Sequence, residues 1–118
     1  MNGSEWVVEA YGCDPVRLCD AHAMQALFHA ITVELSLNPV GEAHWHRFPS
    51  PGGMTGLLML AESHLTVHTF PEHASLCLNL FCCVPRAEWA WGERLRDLVG
   101  ATDVKVRRLE REYALVLR

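Results

Sequence analysis

Residues 62–73 read Glu-Ser-His-Leu-Thr-Val-His-Thr-Phe-Pro-Glu-His, and six of these twelve are Glu, Ser or His. Together they offer a hydroxyl beside carboxylates and imidazoles that can carry protons. The segment directly follows an apolar run, Thr55 to Ala61. A buried strand feeding so dense a polar cluster makes poor packing, because each buried polar group needs a partner. Such a local inconsistency marks a functional site. Taken singly, Ser63 reads as a turn residue and His68 as a structural histidine.

Two further groups of side chains could do chemistry. Alternation along residues 76–83 puts Leu76, Leu78, Leu80 and Cys82 on one strand face and Cys77, Asn79, Phe81 and Cys83 on the other. The leucine face belongs to the core, which leaves Cys83 as the functional thiol and Cys82 as a small hydrophobe. His44 and His46 share a strand face and, with His64 or His73, could begin a metal site. No CxxC or HExxH pattern accompanies them, so the expectation is no metal.

The elements that must hold these groups can be read from patterning. Trp6, Val7, Val8 and Ala10 begin a strand that breaks at Gly12. Asp14-Pro15 is a helix start. Leu27, Ile31 and Leu35, with Met24 and Phe28, form a buried helical stripe that ends at Asn38-Pro39. Residues 43–48 alternate as a strand, and Pro49 to Gly53 form a turn cluster. Thr55–Ala61, Leu65–Phe70 and Leu76–Cys83 are further strands, the last two separated by Pro71-Glu72-His73. Pro85 is expected to open a second helix carrying Trp91, Leu95 and Leu98 and capped by Gly100. Val104, Val106 and the Tyr113–Leu117 run supply a last strand or strand pair. Short connections between consecutive strands favour antiparallel pairing. The expected fold is α+β: a two-layer sandwich of an antiparallel sheet with two helices on one face.

With 118 residues, 50% of them hydrophobic, the chain has material for one domain spanning 1–118. A domain of this size buries a limited share of its surface, so association with a second copy would help. The net charge of -4 and the absence of a Lys/Arg cluster argue against nucleic-acid binding. Lys105, Arg107, Arg108 and Arg111 are interrupted by other residues and read as the solvated side of a strand. Residues 1–12 have no basic region followed by an apolar one, and no apolar run approaches a membrane span. The chain is expected to be cytoplasmic. Its five cysteines, an odd number, argue against a disulfide framework.

ESHLTVHTFPEH, followed by Cys83, resembles the prokaryotic S-adenosylmethionine decarboxylases. EAYGCDP at 9–15, HRF at 46–48 and GMTG at 53–56 extend the resemblance over nearly the whole chain. It implies a proenzyme that cuts itself between Glu62 and Ser63, giving a β chain of 1–62 and an α chain of 63–118. In that family the serine, here Ser63, attacks the preceding carbonyl and becomes a covalently bound pyruvoyl cofactor, which forms a Schiff base with the substrate. His68 corresponds to the processing base, Thr55 to a serine that assists processing, and Cys83 to the proton donor. Glu72 resembles the contact to substrate hydroxyls and Phe48 an aromatic platform for adenine. The partner implied is a small amino-acid substrate, the pathway polyamine (spermidine) biosynthesis, and the assembly a homodimer of processed protomers.

The chain departs from the family pattern beside that site. His73-Ala74-Ser75 replaces an aromatic or basic residue followed by Gly-Tyr. Asn79 replaces an aspartate, and Cys82-Cys83-Val84 replaces Thr-Cys-Gly. Glu62, Ser63, His68 and Cys83 are spared. L-Ornithine or L-arginine is therefore an alternative substrate to S-adenosylmethionine, with Glu72 or Glu9 receiving the distal cation. A non-catalytic activator or binding paralogue and a histidine metal module are alternatives of other classes.

Overall fold

Alternating apolar residues become strands of one sheet whose apolar sides all face the same way. The computed structural model describes residues 2–115. The elements are β1 (Asn2–Tyr11), α1 (Pro15–Leu18), α2 (Ala21–Glu34), β2 (His44–Arg47), β3 (Met54–Leu60), β4 (Ser63–Phe70), β5 (Ser75–Cys82), α3 (Trp91–Val99) and β6 (Asp103–Glu112). A 3-10 turn, Pro71–His73, joins β4 to β5. The sheet has six strands in the order β2-β3-β4-β5-β1-β6, with every neighbouring pair antiparallel. This is the expected α+β sandwich, with α2 and α3 as its main helices.

Register aligns the buried side chains into rows. Leu58, Leu65, Leu80 and Trp6 lie opposite one another across four strands. They join Met24, Leu27, Ile31 and Leu95 of the helices in one core. Truncating Leu65 or Leu80 to alanine removes buried methyl groups and costs about 2–5 kcal/mol. Gly56 has a reason of its own: a Cβ there would overlap the Trp45 ring. Trp45 packs against Phe28 with ring centroids 4.7 Å apart.

Three expectations need correction. The first helix is split: Asp14 caps α1, and Asp20 caps α2 by accepting from the His22 amide at 2.9 Å. A second strong N-cap makes a second start. The helix also stops at Glu34, before Asn38-Pro39, where Ser36 adopts a φ of 53°. Pro85 does not open a helix. Residues 85–90 are irregular and α3 begins at Trp91. Trp89 and Trp91 are both buried, 5.0 Å apart edge-to-face. Residues two apart lie on different sides of a helix, so burying both requires a non-helical approach. Lastly, β6 is one long strand ending at Glu112. Tyr113, Ala114 and Leu115 lie outside it, and residues 116 and 117 of the expected run fall outside the described residues.

The sheet face away from the helices is open. It carries His44 and His46; Thr55, Leu57 and Met59; His64, Thr66 and His68; Cys77, Asn79 and Phe81; and Glu5, Val7 and Glu9. The β6 arginines are solvated, as expected, but all three are engaged: Arg107 grips Glu9 at 2.6 Å, Arg111 bonds Glu5, and Arg108 donates to the Ser4 hydroxyl at 3.0 Å. Asn79 donates to the other oxygen of Glu5 at 2.7 Å.

Candidate active site

A two-residue turn, Ala61-Glu62, links β3 to β4, so the Glu62–Ser63 bond lies where the chain enters β4. Ser63 pairs with Cys82 of β5. The next residue, Cys83, turns its amide back onto the turn and donates to the Glu62 carbonyl at 2.7 Å. That carbonyl carbon is the atom an adjacent Ser63 hydroxyl would attack. A donor on its oxygen polarises the carbonyl and stabilises the developing oxyanion. Tyr113 donates its hydroxyl to the Cys83 carbonyl, and Arg86 binds the Glu62 carboxylate at 3.1 Å. Glu62, Ser63 and Cys83 line the edge of a shallow cleft of about 530 Å³ that also takes in Leu57, Met59 and Phe81 of the open face.

Parity sorts the two cysteines as expected. Cys82 is 1% exposed, and Cys83 is half-buried. Burial pushes the Cys82 thiol up, opposed by the neighbouring Ser63 hydroxyl. Burial likewise pushes Cys13 up to about 11 and raises Cys77. A raised thiol is a poor thiolate source. All five cysteines are free.

A second group forms toward the other end of β4. Thr55 pairs with His68, and Thr55 Oγ1 lies 3.0 Å from His68 Nδ1 in a hydrogen bond. Such a bond fixes the ring and leaves Nε2 for a proton in flight. His68 lines a pocket of about 290 Å³ with Phe48, Pro49, Pro51, Phe70 and Glu72. Thr69, which sequence reasoning passed over, anchors this end of the strand. Its buried hydroxyl accepts from the Met54 amide at 2.8 Å and donates to the Leu18 carbonyl at 2.9 Å.

The expected site residues thus come as two groups. Glu62, Ser63 and Cys83 meet, and Thr55, His68, Phe48 and Glu72 meet, but the groups do not meet each other within one chain. Ser63 has the core-facing parity and His68 the opposite one. Five residues of strand put their Cα atoms about 16 Å apart. Glu9 lies opposite Cys77, itself opposite His68, yet its carboxylate is already held by Arg107. Among the described residues no three His, Cys, Asp or Glu side chains gather to hold a metal ion.

The sequence profile of the family described as S-adenosylmethionine decarboxylase matches residues 4–112. The chain belongs to the S-adenosylmethionine decarboxylase family. Among relatives named S-adenosylmethionine decarboxylase proenzyme, that of Thermococcus gammatolerans is 36% identical over 86 residues, 73% of this chain and 59% of its own length. The protein of that name from Caldicellulosiruptor saccharolyticus is 31% identical over 113 residues, 92% of this chain and 87% of its own. The chain spans about three-fifths of the length of the archaeal relatives it matches, 59% and 60% for Thermococcus gammatolerans and Pyrococcus furiosus. The solved adenosylmethionine decarboxylase of Aquifex aeolicus shares the fold at a TM-score of 0.76 and 20% identity, covering 98% of this chain and 95% of that one. No helix among the described residues is long and apolar enough to cross a membrane.

Within the family pattern, the departures have structural correlates. Asn79 suits Glu5, since an aspartate there would set a second carboxylate where the amide now donates at 2.7 Å. Ala74, at the position of the expected glycine, adopts a φ of 51°.

Proposed function

We propose that the chain is a self-processing, pyruvoyl-dependent S-adenosylmethionine decarboxylase that works as a homodimer. The observation that carries this reading is the 2.7 Å hydrogen bond from the Cys83 amide to the Glu62 carbonyl, one peptide from the Ser63 hydroxyl. Ser63 Oγ attacks that carbonyl carbon and moves the acyl group from nitrogen to oxygen. Removal of the Ser63 α-proton then lets the ester eliminate. Residues 1–62 and 63–118 become the β and α chains of one folded unit.

The base must come from elsewhere than the same strand, because His68 of one chain is about 16 Å of extended backbone from Ser63. A second copy laid face to face on the open sheet supplies it. Leu57 and Met59 of that face are 47% and 59% exposed, apolar surface that such a contact would bury. Each site then takes Glu62, Ser63 and Cys83 from one copy and Thr55, His68, Phe48 and Glu72 from the other.

Once formed at residue 63, the pyruvoyl carbonyl supplies the electron sink for loss of the substrate α-carboxylate. The Cys83 thiol, half-buried in the cleft beside residue 63, returns a proton to the substrate α-carbon. The pocket beside His68 favours S-adenosylmethionine. Phe48 and Phe70 offer rings to a flat base, and Glu72 offers a carboxylate to ribose hydroxyls. Glu9, neutralised by Arg107, is not free for the distal cation of ornithine or arginine. Five free cysteines suit a reducing cytoplasm.

Release of carbon dioxide from carboxyl-labelled S-adenosylmethionine, ornithine and arginine, measured in parallel, tests the substrate. Release from S-adenosylmethionine alone is expected. A cleaved preparation inactive on all three would overturn the assignment.

A further inference from the structure

Arg86 lies in the irregular segment between β5 and α3, and its side chain is only 21% exposed. Its Nη2 donates to Glu62 Oε2 at 3.1 Å, and its Nη1 donates to the Pro85 carbonyl at 3.1 Å. The buried Nε–H has no hydrogen-bond partner among the described residues. A buried guanidinium donor without an acceptor is costly and calls for an explanation. The Arg86 charge is also felt at Cys82, the cross-strand partner of Ser63, where it opposes the upward push of burial on the thiol. A spare cationic donor therefore belongs to the residue that holds the side chain of Glu62, on the acyl side of the peptide bond proposed to break.

We infer that Arg86 is a positioning residue for self-cleavage, holding the Glu62 side chain before the bond breaks and receiving the new Glu62 α-carboxylate afterwards. The inference rests on the self-processing reading above. Atom balance shows why a carboxylate receptor is wanted. After the shift, Glu62 is joined to Ser63 through an ester. Loss of the Ser63 α-proton breaks the Cβ–Oγ bond, and Oγ stays with Glu62. The new carboxylate thus consists of the old carbonyl oxygen and the former Ser63 Oγ, with one negative charge. Residue 63, now dehydroalanine, takes up water and loses ammonia to become pyruvoyl. The old carbonyl oxygen already has the Cys83 amide. The second oxygen, carrying the charge, can accept from the free Arg86 Nε–H, and a planar guanidinium suits a carboxylate. Parking the β-chain end there keeps it from re-adding to the reacting carbon.

The test follows cleavage of newly translated full-length chain by denaturing mass spectrometry, alongside thermal melting. Arg86→Met is expected to slow cleavage about tenfold or more, and Arg86→Lys to recover part of that loss. Glu62→Gln should slow it too, and the double variant should be no slower than the worse single, the mark of residues acting as one unit. Added guanidinium ion should speed Arg86→Met but not the double variant, a rescue that a merely structural role would not give. Cleavage of Arg86→Met at the unaltered rate, or independent losses at 86 and 62, would overturn the inference while leaving self-processing intact. Failure of the unaltered chain to cleave would remove both. If Arg86→Met does not fold, Arg86→Lys and Glu62→Gln still decide.

Discussion

Ser63 and His68 share strand β4 but face opposite sides of the sheet, with four residues between them. Their Cα atoms are about 16 Å apart along the strand, so in the proposed mechanism the base that serves Ser63 comes from a second chain. The proposed dimer follows from this relationship more directly than from the chain's size.

Mixed dimers check it. Ser63→Ala and His68→Ala chains, each alone, should remain uncut. Co-expressed with distinguishable tags, they form one complete site, using Ser63 of the His68→Ala chain and His68 of the other. Mass spectrometry should then find the His68→Ala chain cut and the Ser63→Ala chain whole. If the mixture stays uncut, the shared site is wrong.

In the proposed mechanism Cys83 acts through two different atoms, and they can be separated. Its amide donates to the Glu62 carbonyl, and its side chain belongs to a residue that lines the cleft. Cys83→Ala keeps the amide. Cleavage should therefore continue, while decarboxylation of S-adenosylmethionine falls roughly 10²-fold or more, as for loss of a proton donor. Equal loss of both activities would contradict this division.

Ala74 closes the Pro71–His73 turn at φ 51° and ψ 40°, in the left-handed region. A Cβ costs about 1–2 kcal/mol there, and glycine avoids the cost. Ala74→Gly is expected to raise unfolding stability by about 1 kcal/mol in urea titration, with an unchanged slope. A loss of stability would show that the alanine methyl does more in packing than it costs in the backbone.

Stability should fall on the acid side. Hydrogen bonds from Arg94 and Trp89 hold the Glu34 carboxyl below its ordinary 4.5, and a hydrogen bond from Asn79, helped by Arg111, does the same for Glu5. A carboxyl lowered on folding stabilises the fold above its unfolded value, and the contribution is lost as pH falls through the folded value. Melting temperature should thus drop below about pH 4.5. Glu34→Gln should flatten that limb. An acid limb identical in Glu34→Gln would assign the effect to other groups.

Much of this was legible in the sequence where period and chemistry agree. Alternation along β5 sorted Cys82 from Cys83 because a strand has a period of two and β5 pairs in unbroken register up to Cys82. The helix expected from Pro85 failed because burial of both Trp89 and Trp91 outweighed the local start signal. Asp20 is as good a cap as Asp14, but a continuous apolar stripe hid the break between them. Ser63 and His68 share one motif in the sequence but not one place in the strand, since an odd spacing of five turns the second residue to the other face. Arg86 left no local mark at all: its partner is 24 residues away, across two strands and the turn between them.

Denaturing mass spectrometry of the purified, active protein tests the central claim most directly. Two fragments are expected, one ending at Glu62 and one beginning at residue 63 with a pyruvoyl group that blocks amino-terminal sequencing. An intact chain in an active preparation, or a cut at any other bond, would contradict it.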